Sequence, residues 1–177
     1  MLSLNEQHEV GAVLEVARRM CVAARTAPKA KGTDNIVTAI LTDGEEKDRL
    51  IAEMEALGER TGAPLFPRDA QNLREAHACV LIGTKLQRLG IPACNLCGFD
   101  GCGENSKAGA RCAYNIGDLG IAVGSAVSVA ADCRVDNRVM YSAGRAAASL
   151  QLLGEDVAIV FAIPLSARGK SIFFDRK

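Results

Sequence analysis

The chain has 177 residues, in which 21 Lys and Arg balance 21 Asp and Glu, with 4% aromatic residues and no Trp. Without excess positive charge or a supply of aromatic rings, we expect no nucleic-acid partner and no anionic membrane surface as partner. The longest charge-free stretch in the helical part, residues 119–131, is too short to span a bilayer.

The start of the chain carries neither a basic segment nor a long apolar run, so no signal peptide is predicted. We therefore expect a cytoplasmic protein, and the length favours one domain over residues 1–177. Because cysteines stay reduced in the cytoplasm, a cluster of them indicates a metal site more than disulfides.

In chain order, the first predicted element is a helix. Apolar residues at helical spacing predict this helix. It is expected to end by Thr26, because Pro28 disfavours helix at the residue before it. Ser3 and Glu6 form a candidate capping box at its start. A polar loop follows, and a β-branched apolar run predicts a buried strand over residues 36–42.

The next predicted element is a second helix over residues 44–57, with Asp43 as its N-cap. The prolines of residues 64–67 predict a loop, and a short helix is expected over residues 69–76. An apolar run over residues 78–82 predicts a second buried strand, and a further short helix is expected to carry Leu86 and Leu89.

The second half of the chain begins with a run of small apolar residues and glycines over residues 115–131. Glycine is costly inside a helix, so this composition predicts very close packing, as a central helix or one at a subunit interface. Together with the apolar tail residues 172–174, it leads us to expect a homodimer. The tail is expected to pack, as an edge strand on a partner subunit.

The last predicted elements are a helix and a strand. Asp136 or Asn137 is expected to cap a helix that continues to Leu153, and residues 157–163 form a third buried strand stopped by Pro164. Three buried strands among helices predict an α/β or α+β sandwich.

The densest chemical motif is a run of four cysteines within 19 residues at the spacing C-x2-C-x4-C-x9-C. Cysteine thiolates select zinc, copper(I) or iron–sulfur clusters, and the uneven spacing suits a cluster better than zinc, which favours two C-x2-C pairs. We predict a cluster-binding loop over residues 91–114, with scattered thiols or disulfides as the alternative. The predicted ligands are Cys94, Cys97, Cys102 and Cys112; Cys21, Cys79 and Cys133 are expected to be core thiols.

Two basic groups are candidates for binding the phosphate of a cofactor such as FMN. Arg25 and Lys29 lie at the end of the first helix, and Arg168 and Lys170 follow the last strand. Charge-assisted donors of this kind suit a phosphate. The alternative is that they compensate a helix dipole and coat a solvated tail.

The cysteine motif, followed by Asp118-Leu119-Gly120-Ile121-Ala122-Val123-Gly124-Ser125-Ala126, resembles a family of uncharacterised prokaryotic proteins described as containing a ferredoxin domain. The segment Ala24-Arg25-Thr26-Ala27-Pro28-Lys29-Ala30-Lys31-Gly32 also looks like the N-terminal pattern of that family, so the resemblance covers nearly the whole chain. It implies an iron–sulfur centre.

A more distant resemblance is to the nitroreductase-like flavoproteins. Ala27-Pro28 before a strand, and the Gly-rich helix from Asp118, are similar to segments of that family. The resemblance implies a mixed sheet flanked by helices, an intertwined dimer and FMN at its interface. The arginine-rich helix start that grips the flavin phosphate in that family has no counterpart in this chain.

These features favour an iron–sulfur redox protein, with [4Fe–4S] as the cluster type, acting on a redox partner protein or a small-molecule electron acceptor. Two alternatives stay open. One is a zinc-stabilised structural or interaction module, and the other is an FMN-dependent reductase, an oxidoreductase fed by the cluster.

Overall fold

The computed structural model describes residues 4–174, apart from the side chains of Asn5 and Glu6. The helices are α1 Asn5–Thr26, α2 Glu45–Thr61, α3 Leu65–Glu75, α4 Gly101–Lys107, α5 Ala113–Asp132 and α6 Tyr141–Ser149. The strands are β1 Ile36–Leu41, β2 Ala78–Lys85, β3 Asp136–Asn137 and β4 Val157–Ser166.

The strands form one sheet in the order β1-β2-β4-β3. Ile36 pairs with Thr84 and Ala78 pairs with Leu165, so β1 and β4 lie antiparallel on either side of β2. The α+β class is confirmed. The sheet was expected to be mixed, and that detail is wrong, because every pairing among the described strands is antiparallel.

Helices cover both faces of the sheet. Successive side chains of a strand point to opposite faces, and β2 follows this rule: Ala78, Val80 and Ile82 pack with α1 and α5, whereas Cys79 and Leu81 pack with α2, α3 and α6. The continuous apolar run in β2 therefore reflects a strand that is buried on both faces.

Two helix starts differ from the prediction. The N-cap of α2 is Gly44, at φ 141° and ψ −177°, a conformation open to glycine, so Asp43 is not the cap. The Asp43 carboxylate instead accepts a hydrogen bond from Lys47 at 2.7 Å. The prolines do not form a loop: α3 begins at Leu65, and Pro67 is its third residue, where the missing N–H would have had no helical partner.

Two further predictions are wrong: the short helix before the cysteine loop and the caps of α6. Residues 86–90 have no regular secondary structure. Asp136 and Asn137 form β3 against the end of β4, and α6 starts after Met140. The short helix α4 inside the cysteine loop was not predicted.

Pro164 does not end β4, which continues to Ser166. The backbone N–H and C=O of Ala162 pair with Met140, on the β3 side of β4. Pro164 lies two residues further on, so it faces the same side. Residues 138 and 139 lie outside the β3 ladder there, so the missing N–H of proline costs no ladder hydrogen bond.

The glycines of α5 do not produce close packing within the protomer. Gly117, Gly120 and Gly124 are exposed, and a Cβ added at any of them would meet no atom within 4 Å. The prediction that these glycines allow very close packing is therefore wrong within one protomer. These glycines lie instead on an uncovered face of α5, together with Ile116 and Ile121.

The tail packs on its own chain. Ile172 and Phe173 join the core beside α3, and the Asn72 side chain donates a hydrogen bond to the Ile172 carbonyl at 2.7 Å. Neither Ile172 nor Phe173 forms an edge strand. The next residue, Phe174, is 81% exposed. Contact of the tail with a partner subunit stays a prediction.

The cysteine loop joins β2 to α5 and therefore lies at the end of the sheet where β2 finishes. Among the helices of residues 4–174, none has the length and apolar character needed to cross a membrane.

Candidate metal centre

Four cysteines meet at one pocket at the start of α5. Cys94 and Cys97 lie in the irregular part of the loop, Cys102 in the first turn of α4, and Cys112 at the N-cap of α5. All four line the same pocket, together with residues that include Leu96 and Tyr114. The fold therefore brings together the four thiols that the spacing singled out.

The pocket between the thiols is narrow, with a volume of about 10 Å³. Over residues 4–174, no three His, Cys, Asp or Glu side chains are arranged to hold a metal ion. A cluster distributes its thiolates over several irons, so its ligands need not converge on a single point. Four thiolates are a donor set that both a cluster and a zinc ion accept, and a pocket this narrow has to widen to receive a cluster.

Tight turns shape the cysteine loop. The Gly98 N–H donates to the Asn95 carbonyl at 2.8 Å, and Gly98 has φ 81°. Gly101, directly before Cys102, has φ 78°. Both values lie in the left-handed region that glycine enters at little cost, so the chain can reverse twice between Cys94 and α4.

Asn105 of α4 holds the second half of the loop in place. It is 1% exposed, its Oδ1 accepts a hydrogen bond from Arg88 Nε at 2.7 Å, and its Nδ2 donates to the Arg111 carbonyl at 3.1 Å. Arg88 also donates to the Ala110 carbonyl at 3.0 Å. This network connects the chain before the loop with α4 and with the residues just before Cys112.

The other three cysteines lie away from this pocket. Cys79 is fully buried in β2, and burial raises the pKa of its thiol to about 12. Burial also raises the pKa of Cys21, on α1. Cys133 packs against the same core cluster as Cys21. These positions suit the predicted role of core thiols.

The first pair of predicted phosphate-binding residues, Arg25 and Lys29, is engaged in contacts within its own chain. Arg25 Nε pairs with Asp34 at 2.8 Å, and Arg25 Nη1 donates to the Ile36 carbonyl. Lys29 Nζ donates to the carbonyls of Ala24, Arg25 and Ala27, at the C-terminal end of α1. Both cations therefore stabilise the turn from α1 towards β1, where a helix C-terminus favours positive charge.

The second pair of predicted phosphate-binding residues, Arg168 and Lys170, lies far from the first pair within one protomer. Arg168 donates to the Glu75 carbonyl at 3.1 Å, beside the start of β2, while Arg25 lies beside the end of β2. Six residues of strand separate these ends, or roughly 20 Å. Within one protomer, Arg168 and Lys170 do not approach Arg25 and Lys29.

The sequence prediction missed three residues around the metal centre: Arg88, Asn105 and Asn115. Asn105 and Asn115 are each 1% exposed. Their sequence signal was weak, since an asparagine near a helix start commonly caps it from the surface. Only their burial distinguishes them from ordinary polar loop residues.

Comparison with known proteins gives the family. Residues 108–176 match a family described as "Uncharacterized protein containing a ferredoxin domain". A protein of Archaeoglobus fulgidus, itself described as uncharacterised, is 45% identical over 165 residues, which covers 89% of this chain and 88% of that protein. The chain belongs to this ferredoxin-domain family. The matched segment contains Cys112, whereas Cys94, Cys97 and Cys102 precede it.

Solved structures show that this member of the ferredoxin-domain family has a nitroreductase-like fold. A nitroreductase with bound FMN from Desulfitobacterium hafniense matches with a TM-score of 0.63 and 15% identity, over 95% of this chain and 92% of that chain. An FMN-dependent nitroreductase from Clostridium difficile matches with a TM-score of 0.56 and 13% identity, over 96% and 79%. The predicted nitroreductase-like sandwich is confirmed.

Proposed function

We propose that this protein is an iron–sulfur redox protein in which Cys94, Cys97, Cys102 and Cys112 hold a cluster, with [4Fe–4S] as the favoured type. The observation that carries the proposal is the single pocket lined by all four thiols. The family description, with its ferredoxin domain, supports the same cofactor class.

The surroundings of the thiols suit this role. Leu96, Ala113 and Tyr114 give the pocket apolar contacts, which limit access of water and so influence the potential of a cluster. A bound cluster would supply transfer of one electron at a time. The residues of the chain would then fix its position and screen it, while a redox partner protein or a small molecule exchanges the electron.

The first test measures iron. Cys102→Ala removes one of four thiolates and should lower the iron content of anaerobically purified protein to less than half of the wild-type value. Cys133→Ala is the matched control, because Cys133 lies away from the pocket, and it should keep full iron. Full iron retention in the Cys102→Ala protein would sink the assignment.

Zinc is the alternative occupant of the same thiols, in a structural or interaction module. Metal and acid-labile sulfide analysis of the same preparations separates the two functions. Iron with sulfide supports the cluster, whereas stoichiometric zinc without sulfide supports the structural module. The proposed cluster follows from thiol chemistry and from the uneven spacing of the four cysteines.

An FMN-dependent reductase is the second candidate function, and the fold favours it, because the two nitroreductases described above bind or depend on FMN. The engagement of Arg25 with Asp34, and of Lys29 with the end of α1, leaves few free donors for a flavin phosphate. We expect no FMN in the denatured supernatant and no saturable binding of FMN at tens of micromolar. Native FMN in stoichiometric amount would favour the reductase.

A further inference from the structure

A second pocket adjoins the thiol pocket at Cys112. It has a volume of about 290 Å³, near the lower limit of ~300 Å³ for small-molecule sites. Its wall is built from residues 86–88, residues 109–112 and Asn115, and it shares Arg88 and Cys112 with the thiol pocket. A ligand in it would lie directly beside a proposed cluster ligand.

The charge of this pocket is positive. Its two cationic side chains are Arg88 and Arg111, and no Asp or Glu lines it, whereas Cys112 would add a thiolate once a cluster is bound. Arg88 contacts neutral oxygens, the Asn105 side chain and two carbonyls, so its charge has no carboxylate partner. Arg111 is exposed, and within residues 4–174 its side chain forms neither a hydrogen bond nor an ion pair.

A buried donor also lacks a partner at this pocket. Asn115 is 1% exposed, and its Oδ1 accepts the Gln87 N–H at 3.0 Å, but its Nδ2 has no hydrogen-bond partner. A buried unpaired donor is unfavourable, so a matching acceptor would bind favourably there.

The backbone adds to the same preference. Cys112 is the N-cap of the 20-residue helix α5, makes no side-chain capping hydrogen bond, and is followed by a first turn without acidic residues. The N-terminus of such a helix carries partial positive charge and free N–H groups. A negatively charged ligand is therefore favoured in this pocket by the two arginines, by the unpaired Asn115 amide and by the N-terminus of α5.

We propose that this pocket binds a small oxyanion, the carboxylate or phosphate group of a small molecule, with Arg111 and Asn115 Nδ2 as its donors and Arg88 supplying charge. A planar guanidinium and an amide suit either group. The assignment of this anion to the small-molecule electron donor or acceptor rests on the proposed function, whereas the binding site itself does not.

The test is calorimetric titration of the purified full chain with inorganic phosphate and, separately, with acetate. Both are run at low ionic strength, against sodium chloride of equal ionic strength, because salt screens such binding. We expect saturable binding of at least one probe. Phosphate alone identifies a phosphate-type ligand, whereas binding of acetate identifies a carboxylate.

Variants then locate the site. Arg111→Gln should weaken binding roughly tenfold or more, because it removes a charge-assisted donor. Asn115→Asp keeps the acceptor for Gln87 and replaces the donor with a negative oxygen, so binding should be lost. Arg18→Gln is the matched control, since Arg18 is an exposed arginine of α1 that lines none of these pockets, and it should bind as wild type.

Three results would overturn the site: no saturable binding of either probe to wild type, unchanged affinity in Arg111→Gln, or an equal loss in Arg18→Gln. Iron content is measured on the same preparations. Anion binding without iron would refute the cluster but not the anion site. Iron without anion binding would refute the anion site but not the cluster.

Discussion

At the scale of single residues, a helix approaches the sheet closely at Gly144 of α6. A Cβ placed there would lie 2.0 Å from the Val160 carbonyl oxygen and 2.7 Å from the Val160 carbonyl carbon. These are backbone atoms of β4, which cannot move aside as the end of a flexible side chain can. The glycine is therefore required by packing and not by a turn.

Gly144→Ala should lower the free energy of unfolding by about 3 kcal/mol or more, since the added methyl group forces α6 away from β4. Gly11→Ala is the control within a helix, because a Cβ there meets no atom within 4 Å. It should raise stability by up to ~1 kcal/mol through helix propensity. Urea unfolding followed by circular dichroism measures both, and equal stabilities for the two variants would contradict the packing argument.

At the scale of elements, the cysteine loop depends on a small number of side-chain contacts. Over residues 86–112 the only regular element described is the seven-residue helix α4. An isolated helix of that length is not stable by itself. Asn105 compensates by joining α4 to Arg88 and to the Arg111 carbonyl.

Asn105→Ala should release the loop while the core stays folded. It removes two side-chain hydrogen bonds at a buried position, so amide exchange over residues 100–112 should become faster by roughly tenfold or more. The control is Asn95→Ala, because Asn95 is exposed and its backbone carbonyl makes the turn contact. Hydrogen exchange read by mass spectrometry would speak against this role if both variants matched wild type.

At the scale of the whole molecule, α5 presents an uncovered face. Ile116 and Ile121 are 47% and 48% exposed, and the glycines between and beside them leave room for a close neighbour. Exposed apolar residues grouped in this way indicate an interaction surface. We propose that a second copy of the chain covers this face, which keeps the predicted homodimer.

Light scattering should give the mass of a dimer at micromolar concentration. Ile121→Arg should convert it to a monomer, because it places an unpaired charge in an apolar interface. Val139→Arg introduces the same charge at another exposed apolar position, in the segment between β3 and α6, and should stay dimeric. A monomeric wild type would rule out this interface, as would a dimeric Ile121→Arg protein.

Local chemistry made much of this protein predictable from its sequence. The cysteine spacing places four thiols within 19 residues, so only a short loop has to fold for them to meet. The apolar periodicity of α1 and the β-branched runs of β1 and β2 report the face or faces that each element buries. These patterns depend on neighbours in the chain, which is why the sequence by itself determined the elements and the thiol set.

Only the tertiary structure decided the roles that depend on distant neighbours. Pro164 continues a strand because the chain opposite it leaves the ladder, and Asp136 forms a strand because Ser166 lies beside it. Lys29 looks like a surface charge in sequence, but it caps α1. Asn115 becomes an unpaired buried donor only when β2, the loop and α5 meet. The physical reason is that burial and hydrogen-bond partnership are set by segments far apart in sequence, which no local pattern records.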